Sequence, residues 1–402
     1  MKIYKVGGAV RDKLLNYPFT DEDWVVVGAK SKELIDQGFT QVGSEFPVFL
    51  HPKSKDEYSL ARTERKSGLG YKGFEFFTDS DVTLEADLSR RDITINAMAE
   101  NTNGEVIDPY GGKNDLSKKI LRHVSEAFIE DPLRVLRVAR FAARYHHLGF
   151  KIADETMLLM TLISDSGELK YLSAERVWTE TEKALKEGSP SIFIKVLYEC
   201  KALSKLFPEI DRLFSLSIPD SDTNVGDRTL SSLDYAAKLD PDASVRFAVL
   251  VSDINLKDKN NLAITSNIPK IDLDNQIFND LFSRLKIPNR YQEIAIAFIK
   301  YRNFCRYYKD CKPQDILNML DGIGAFKKAE NLEKFIYCCQ AGEKLTGNIV
   351  HKAYQPGIWL KNVFNKINAI DNKKLISRGY EGVKLGQQID ICRRKIIADS
   401  LN

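Results

Sequence analysis

The run Asp21-Glu22-Asp23-Trp24-Val25-Val26-Val27-Gly28 decides the reading of this chain. Four large hydrophobic residues between an acidic cluster and a glycine predict a buried strand, and in a strand residues i and i+2 share a face. Asp21 and Asp23 therefore present two carboxylates side by side while Glu22 points away. Carboxylates that close repel one another unless a cation lies between them, and a hard ion such as Mg2+ with oxygen ligands is the usual solution. Taken alone, Asp-x-Asp ahead of a strand is more often a turn with a capping side chain, so the neighbouring segments must decide.

Upstream stands Gly7-Gly8-Ala9-Val10-Arg11-Asp12, between a strand expected at Lys2–Val6 and a short helix at Ala9–Leu15. Paired glycines let a backbone approach a ligand closely, and the N–H groups that open a helix suit phosphate oxygens. Arg11 could add a charge-assisted contact. A plain strand-to-helix turn explains the same residues. Next to the Asp-x-Asp strand, however, a phosphate cradle and a metal-binding carboxylate pair make a triphosphate site. No GxxxxGK[ST] occurs, which excludes a P-loop.

Downstream, short β-branched runs at Glu45–Leu50, Glu57–Ala61 and Phe74–Thr78 read as strands, with Thr63–Gly73 between the last two as a mobile loop. From Asp131 the texture turns helical. Asp131 caps a helix with Pro132 in its first turn, and Ser173 with Glu175 starts another before Val177–Leu185. Within Glu130-Asp131-Pro132-Leu133-Arg134-Val135-Leu136-Arg137-Val138-Ala139-Arg140-Phe141, the residues Arg134, Arg137, Arg140 and, beyond it, Arg144 share one helical face opposite an apolar one. Such a stripe is a solvated face or, being all arginine, a surface for bases and phosphates. Ile218–Gly226 and Gln355–Gly357 are linker candidates.

The chain has 402 residues, 43% of them hydrophobic, and a net charge of +3, so it is globular and long enough for two to four domains. So balanced a charge excludes long-range attraction of a polyanion, and a nucleic acid would have to be held by local patches. One lies at residues 361–395, with nine basic against three acidic residues, although a solubilising face has the same composition. No apolar run spans a bilayer and the first residues lack the apolar core of a signal peptide, which predicts a cytoplasmic protein that makes no membrane contact. Six cysteines without a CxxC fit reduced thiols.

Gly-Gly-Ala-Val-Arg-Asp, then Asp-Glu-Asp-Trp-Val-Val-Val-Gly, then Arg90-Arg91-Asp92-Ile93-Thr94-Ile95-Asn96-Ala97-Met98, then the Glu130–Phe141 segment, in that order, resemble the bacterial class II tRNA nucleotidyltransferases, the CCA-adding enzymes. The resemblance lies within residues 1–145 and runs on in texture through Ser173–Pro208. It implies an α+β fold: a polymerase-β-like palm of mixed sheet and helices at 1–125, then an all-helical neck at 126–215, body at 216–350 and tRNA-binding tail at 351–402. It implies addition of C, C and A to the tRNA 3′ end from CTP and ATP with Mg2+ and no nucleic-acid template; no protein partner follows from it. Carried over by position, Asp21 and Asp23 hold the metals, with Glu57 as third carboxylate. Gly8 and Arg11 bind the triphosphate and Arg91 the nucleotide; Asp92 and Asn96 line the sugar side; Asp131, Arg134, Arg137 and Arg140 serve base and phosphates.

Many similar enzymes carry a phosphohydrolase domain of HD type. Here Arg246–Asp253 keeps something like its framework, with Ser252 where a histidine would stand and no histidine between 148 and 350, so the resemblance implies a hydrolase lost. Three rivals remain: a poly(A) polymerase, whose usual basic run after the metal strand is replaced here by Gly28-Ala29-Lys30-Ser31-Lys32-Glu33, a partial enzyme adding only CC or only A, and a silent tRNA-binding protein.

Overall fold

Two antiparallel strands, Lys2–Val6 (β1) and Asp23–Val27 (β2), lie inside a seven-stranded mixed sheet in the first of two compact units, Met1–Leu206 and Phe207–Asn402. The computed structural model describes residues 1–19, 22–42, 48–66, 74–77, 80–219, 221–256, 275–343 and 353–401. The other sheet strands are Thr40–Val42 (β3), Val48–Leu50 (β4), Glu57–Leu60 (β5), Ala99–Glu100 and Val106–Ile107. A separate antiparallel pair, Thr63–Lys66 (β6) and Phe74–Phe77 (β7), stands between them in sequence, so Ala99–Glu100 is β8 and Val106–Ile107 is β9. The order across the sheet is β3-β4-β5-β2-β1-β8-β9, with β2 and β5 the parallel neighbours.

Val25 and Val26 are 0% and 1% exposed although they point to opposite faces, which is why the valine run is unbroken rather than alternating. One face meets Leu84 and Leu88, from a helix at Leu84–Ser89; the other meets Leu34 and Phe39. The Thr63–Gly73 segment, expected as a loop throughout, begins with strand β6; charged side chains hid it, because pairing in a ladder uses the backbone alone. Residues 67–73 lie outside the described residues.

The α-helices of this unit are Gly8–Leu14 (α1), Ser31–Asp36 (α2), Leu84–Ser89 (α3), Gly112–Lys118 (α4), Leu133–Tyr145 (α5), Asp154–Ser166 (α6), Ala174–Lys186 (α7), Pro190–Glu199 (α8) and Ala202–Leu206 (α9). The caps read from sequence are present. Asp131 Oδ1 accepts the Leu133 N–H at 3.1 Å, and Ser173 Oγ accepts that of Arg176 at 3.4 Å. Helix α5 is buried nearly all round, packed against α7 and α8.

The second unit is helical. Gln355–Gly357, expected as a linker, are the first turn of the helix Gln355–Asn368, where Pro356 sits at a position that needs no N–H partner. At the end of the Arg246–Asp253 segment, Asp253 is buried and accepts from Arg302 Nη1 at 2.7 Å and Arg228 Nη2 at 3.0 Å. Burial alone would raise its pKa, but the two guanidiniums outweigh that and hold the carboxyl below the usual range. Asp253→Ala should therefore cost about 3 kcal/mol in urea denaturation, since two cations lose their common counter-charge. An unchanged midpoint would contradict this. A depressed carboxyl stabilises fully above its unfolded pKa of about 4, so this contribution disappears only as the pH falls below that value.

Candidate functional site

Strand β2 brings Asp23 into lateral register with Glu57 of β5, and both residues are exposed. Paired positions on parallel neighbours project to the same side, so two carboxylates face outward together at one end of the sheet. Two hard anionic donors at one place suit a divalent cation, and Asp23 and Glu57 are the described residues that would hold it. Asp21, the other expected ligand, lies outside the described residues, and among those described no group of three metal-ligating side chains converges.

Beside this pair, β1 turns into α1 through Gly7, whose φ of +68° favours glycine. A Cβ there would sit 2.9 Å from Arg91 Nη1, so the glycine also makes room for that guanidinium. Arg91 is partly exposed and is steered by Asp87, which accepts from its Nη2 at 3.2 Å and from Arg90 Nη2 at 2.8 Å. Gly8 follows in the first turn of α1, half-buried, with Arg11 Nη2 close to its Cα side.

Arg11 itself is not directed into open space. It is 3% exposed, its Nε and Nη2 donate to Asp12 at 2.9 Å each, and its Nη1 donates to Asn96 Oδ1. Asn96 in turn donates to Asp92 Oδ1 at 2.9 Å, and Asp92 Oδ2 accepts from Arg137 Nε at 2.8 Å. Burial would push the Asp92 carboxyl up, but the Arg137 charge and these hydrogen bonds win, and it stays ionised well below the ordinary range. Arg137 is held protonated by the same partner. Asp92 and Asn96, 5% and 6% exposed, are thus inner members of a chain linking α1 to α5.

The arginine face of α5 is not the solvated surface that its spacing allowed. Arg134 and Arg140 are 5% and 8% exposed. Arg134 donates to the carbonyls of Ala127, at 2.7 Å, and of Arg90, at 2.5 Å. Arg140 Nε donates to Glu180 Oε2 at 2.6 Å, and its guanidinium lies 4.4 Å from the Phe141 ring. Asp131 Oδ2 accepts from Arg176 Nη2 at 2.8 Å. Helix periodicity identifies which residues share a face and is silent on what that face meets. Here it meets carboxylates and carbonyls, which is how guanidiniums tolerate burial.

Sequence reasoning missed Glu180 and Arg176, four apart on α7. Glu180 is a buried acid among Val177, Trp178, Thr181 and Ala184, and a lone acid on an apolar helix face is a signal that it serves a buried cation. It also missed Asp12 and Tyr145, treated below.

With this geometry in view, residues 3–122 match the family described as the poly A polymerase head domain, and residues 149–214 match the probable RNA and SrmB-binding site of polymerase A. Among solved structures, a CCA-adding enzyme in an apo form is 21% identical with a TM-score of 0.66, over 98% of this chain and 88% of that one. A CCA-adding enzyme with ATP is 20% identical, TM-score 0.64, over 100% and 88%. The Thermotoga maritima CCA-adding enzyme complexed with tRNA-CCA is 20% identical, TM-score 0.64, over 100% and 90%. These likenesses establish the fold, the α+β head and helical remainder expected from the sequence.

Proposed function

We propose, from the match of residues 3–122 to the poly A polymerase head domain, that this protein is a CCA-adding tRNA nucleotidyltransferase. It transfers nucleotidyl groups from CTP and ATP to the 3′ end of tRNA in the cytoplasm. The observation that carries the reading is the in-register carboxylate pair, Asp23 and Glu57, beside a helix α1 that is tied through Asp12 to the arginine-rich α5 by an ion pair with Arg144 and a hydrogen bond from Tyr145. The likeness in fold to CCA-adding enzymes over nearly the whole chain supports tRNA as the acceptor.

The family works with divalent metal, and Mg2+ suits two outward carboxylates. Bound there, it would favour the alkoxide form of the primer hydroxyl and stabilise the departing pyrophosphate. Asp23, with Asp21 and Glu57, supplies the oxygens. The first turn of α1 at Gly8 offers N–H groups to the triphosphate, Arg11 supports that turn from behind, and Arg91 beside Gly7 supplies a positive charge. Asp92 and Asn96 fix the segment under the sugar, and Asp131 with Arg134 reads the base. Arg137 and Arg140 hold α5 in place through Asp92 and Glu180.

The deciding assay incubates the protein with tRNA lacking its 3′ end and each nucleoside triphosphate singly, then together, and sequences the products. Addition of C, C and A is expected. Runs of A from ATP alone would identify a poly(A) polymerase, CC or A alone a partial enzyme, and no product a tRNA-binding protein.

The tail at residues 361–395 is the proposed RNA-backbone patch. Lys384, Arg394 and Lys395 are exposed, whereas Arg393 lies against the Phe326 ring at 4.2 Å and Lys361 pairs with Glu333 at 2.9 Å. Arg394→Glu with Lys395→Glu should weaken tRNA affinity and lower the slope of log affinity against log salt by about 2, leaving CTP binding intact. An unchanged slope would make this face a solubilising one.

A further inference from the structure

The carboxylate of Asp12 is 3% exposed and accepts four hydrogen bonds from three side chains. Its Oδ1 receives Arg11 Nε at 2.9 Å and the Tyr145 hydroxyl at 2.8 Å. Its Oδ2 receives Arg11 Nη2 at 2.9 Å and Arg144 Nη2 at 3.2 Å. Arg11 lies over the rings of Phe141 and Tyr145 at 5.2 and 5.1 Å, and Arg144 over Tyr17 at 5.4 Å. Tyr17 meets Tyr145 edge-on at 5.8 Å and donates its backbone N–H to the Asp12 carbonyl at 2.8 Å. One buried anion thus joins α1 to the last turn of α5.

We propose that Asp12 is a positioning residue for the nucleotide, with Tyr145 and Arg144 as its fixed partners, and that the three form a brace setting where the triphosphate end of the site stands relative to its base-reading end. The inference rests on the proposed nucleotidyl transfer. Helix α1 starts at Gly8, and α5 begins beside Asp131 and Arg134, at the end opposite to Tyr145. Through the brace, α5 carries the register of α1 along its whole length, about 20 Å at 1.5 Å per residue. A nucleotide held at both ends tolerates little error in that register. Apolar residues would pack two helices at least as stably; two directed bonds from α5 to a carboxylate that Arg11 holds in place on α1 define one relative placement, which is what binding at two separated points requires. The arrangement also accounts for Arg11, whose guanidinium is occupied inside the brace while its helix carries the cradle.

The brace acts on geometry common to both nucleotides, so its loss raises KM for CTP and ATP alike and leaves the choice between them unchanged. Tyr145→Phe removes one hydroxyl with little change in volume. It should raise KM for both nucleotides roughly 5- to 10-fold with kcat within about twofold. Calorimetric titration with CTP and Mg2+ in the absence of RNA should show the same loss. Asp12→Asn should be more severe, the double variant no worse than Asp12→Asn alone, and Arg144→Lys closer to wild type than Arg144→Met. Melting curves verify that each variant is folded at the assay temperature. If Asp12→Asn fails to fold, Tyr145→Phe decides alone. Folded variants with wild-type KM and CTP affinity, changed only in melting temperature, would overturn the proposal. A wild-type protein that adds nothing to tRNA, yet binds CTP in a manner weakened by Tyr145→Phe, would overturn the transfer reading and leave the brace standing.

Discussion

Asp23→Ala should lower nucleotide incorporation into tRNA by about three orders of magnitude or more, with the protein folded and CTP still bound. The loss follows from what the carboxylate is asked to do. Phosphoryl transfer offers a protein little covalent chemistry, so catalysis is mostly positioning and charge stabilisation, and a metal held by too few oxygens supplies neither. Asp23 is exposed at the start of β2, outside the buried valines, so its removal leaves no cavity in the core. A fall in activity is then chemical in origin, which single-turnover incorporation beside a melting curve will show. Glu57→Gln, beside it on β5, should cost less, because a carboxamide oxygen can still face the ion. Near-normal incorporation by Asp23→Ala removes the carboxylate assignment.

The second large effect concerns which base is taken. Cytosine and adenine each present an amino donor beside a ring-nitrogen acceptor, and guanine and uracil present the reverse. Asp131 can only accept and Arg134 can only donate. Asp131 lies in extended backbone just ahead of α5 and Arg134 in its first turn, with the Arg134 N–H bonded to the Asp131 carbonyl at 3.0 Å, so the two can meet one Watson-Crick edge together. In the structure their groups have internal partners: Arg176 on Asp131, and the carbonyls of Ala127 and Arg90 on Arg134. Base reading therefore means exchanging these partners for the base, at little net cost, since one set of hydrogen bonds replaces another. Exchanging donor and acceptor character at the two positions should lower CTP and ATP use by about two orders of magnitude and raise incorporation of UTP or GTP. A folded double variant with unaltered discrimination would place base reading elsewhere. Because the exchange sets a cation beside Arg176, the single change Arg134→Gln serves as a milder check, with reduced preference for C and A expected.

Features set by neighbours in the chain were legible in the sequence. Strand β2, the Gly7 turn, and the caps at Asp131 and Ser173 each depend on a few consecutive residues, and each formed where it was expected. Strands of two or three residues, such as β3, β8 and β9, carry no period to detect and exist because they extend a sheet built outward from the longer strands β1 and β2. The Arg134–Arg144 stripe was visible, but not its burial, because that depends on Glu180, forty residues away, and on Asp12, more than 130 away. Distant partners of this kind leave only indirect traces, an acid on an apolar face or an aspartate at the end of a glycine turn. Of the carboxylate pair, strand β2 was legible in its residues and Glu57 was reached only through the resemblance; the register Asp23–Glu57 needed the parallel pairing of β2 with β5, which no local pattern specifies.

In the second unit, Asp253 receives its positive charge from Arg228 and Arg302, both tethered to the same chain. A carboxylate neutralised by a dissociable ion obeys mass action: its occupancy falls with dilution and with any competing chelator. One neutralised by covalently attached guanidiniums has partners at a fixed effective concentration whatever the medium holds. The counter-charge for this buried carboxylate is therefore inherited with the polypeptide and requires no supply from the cell.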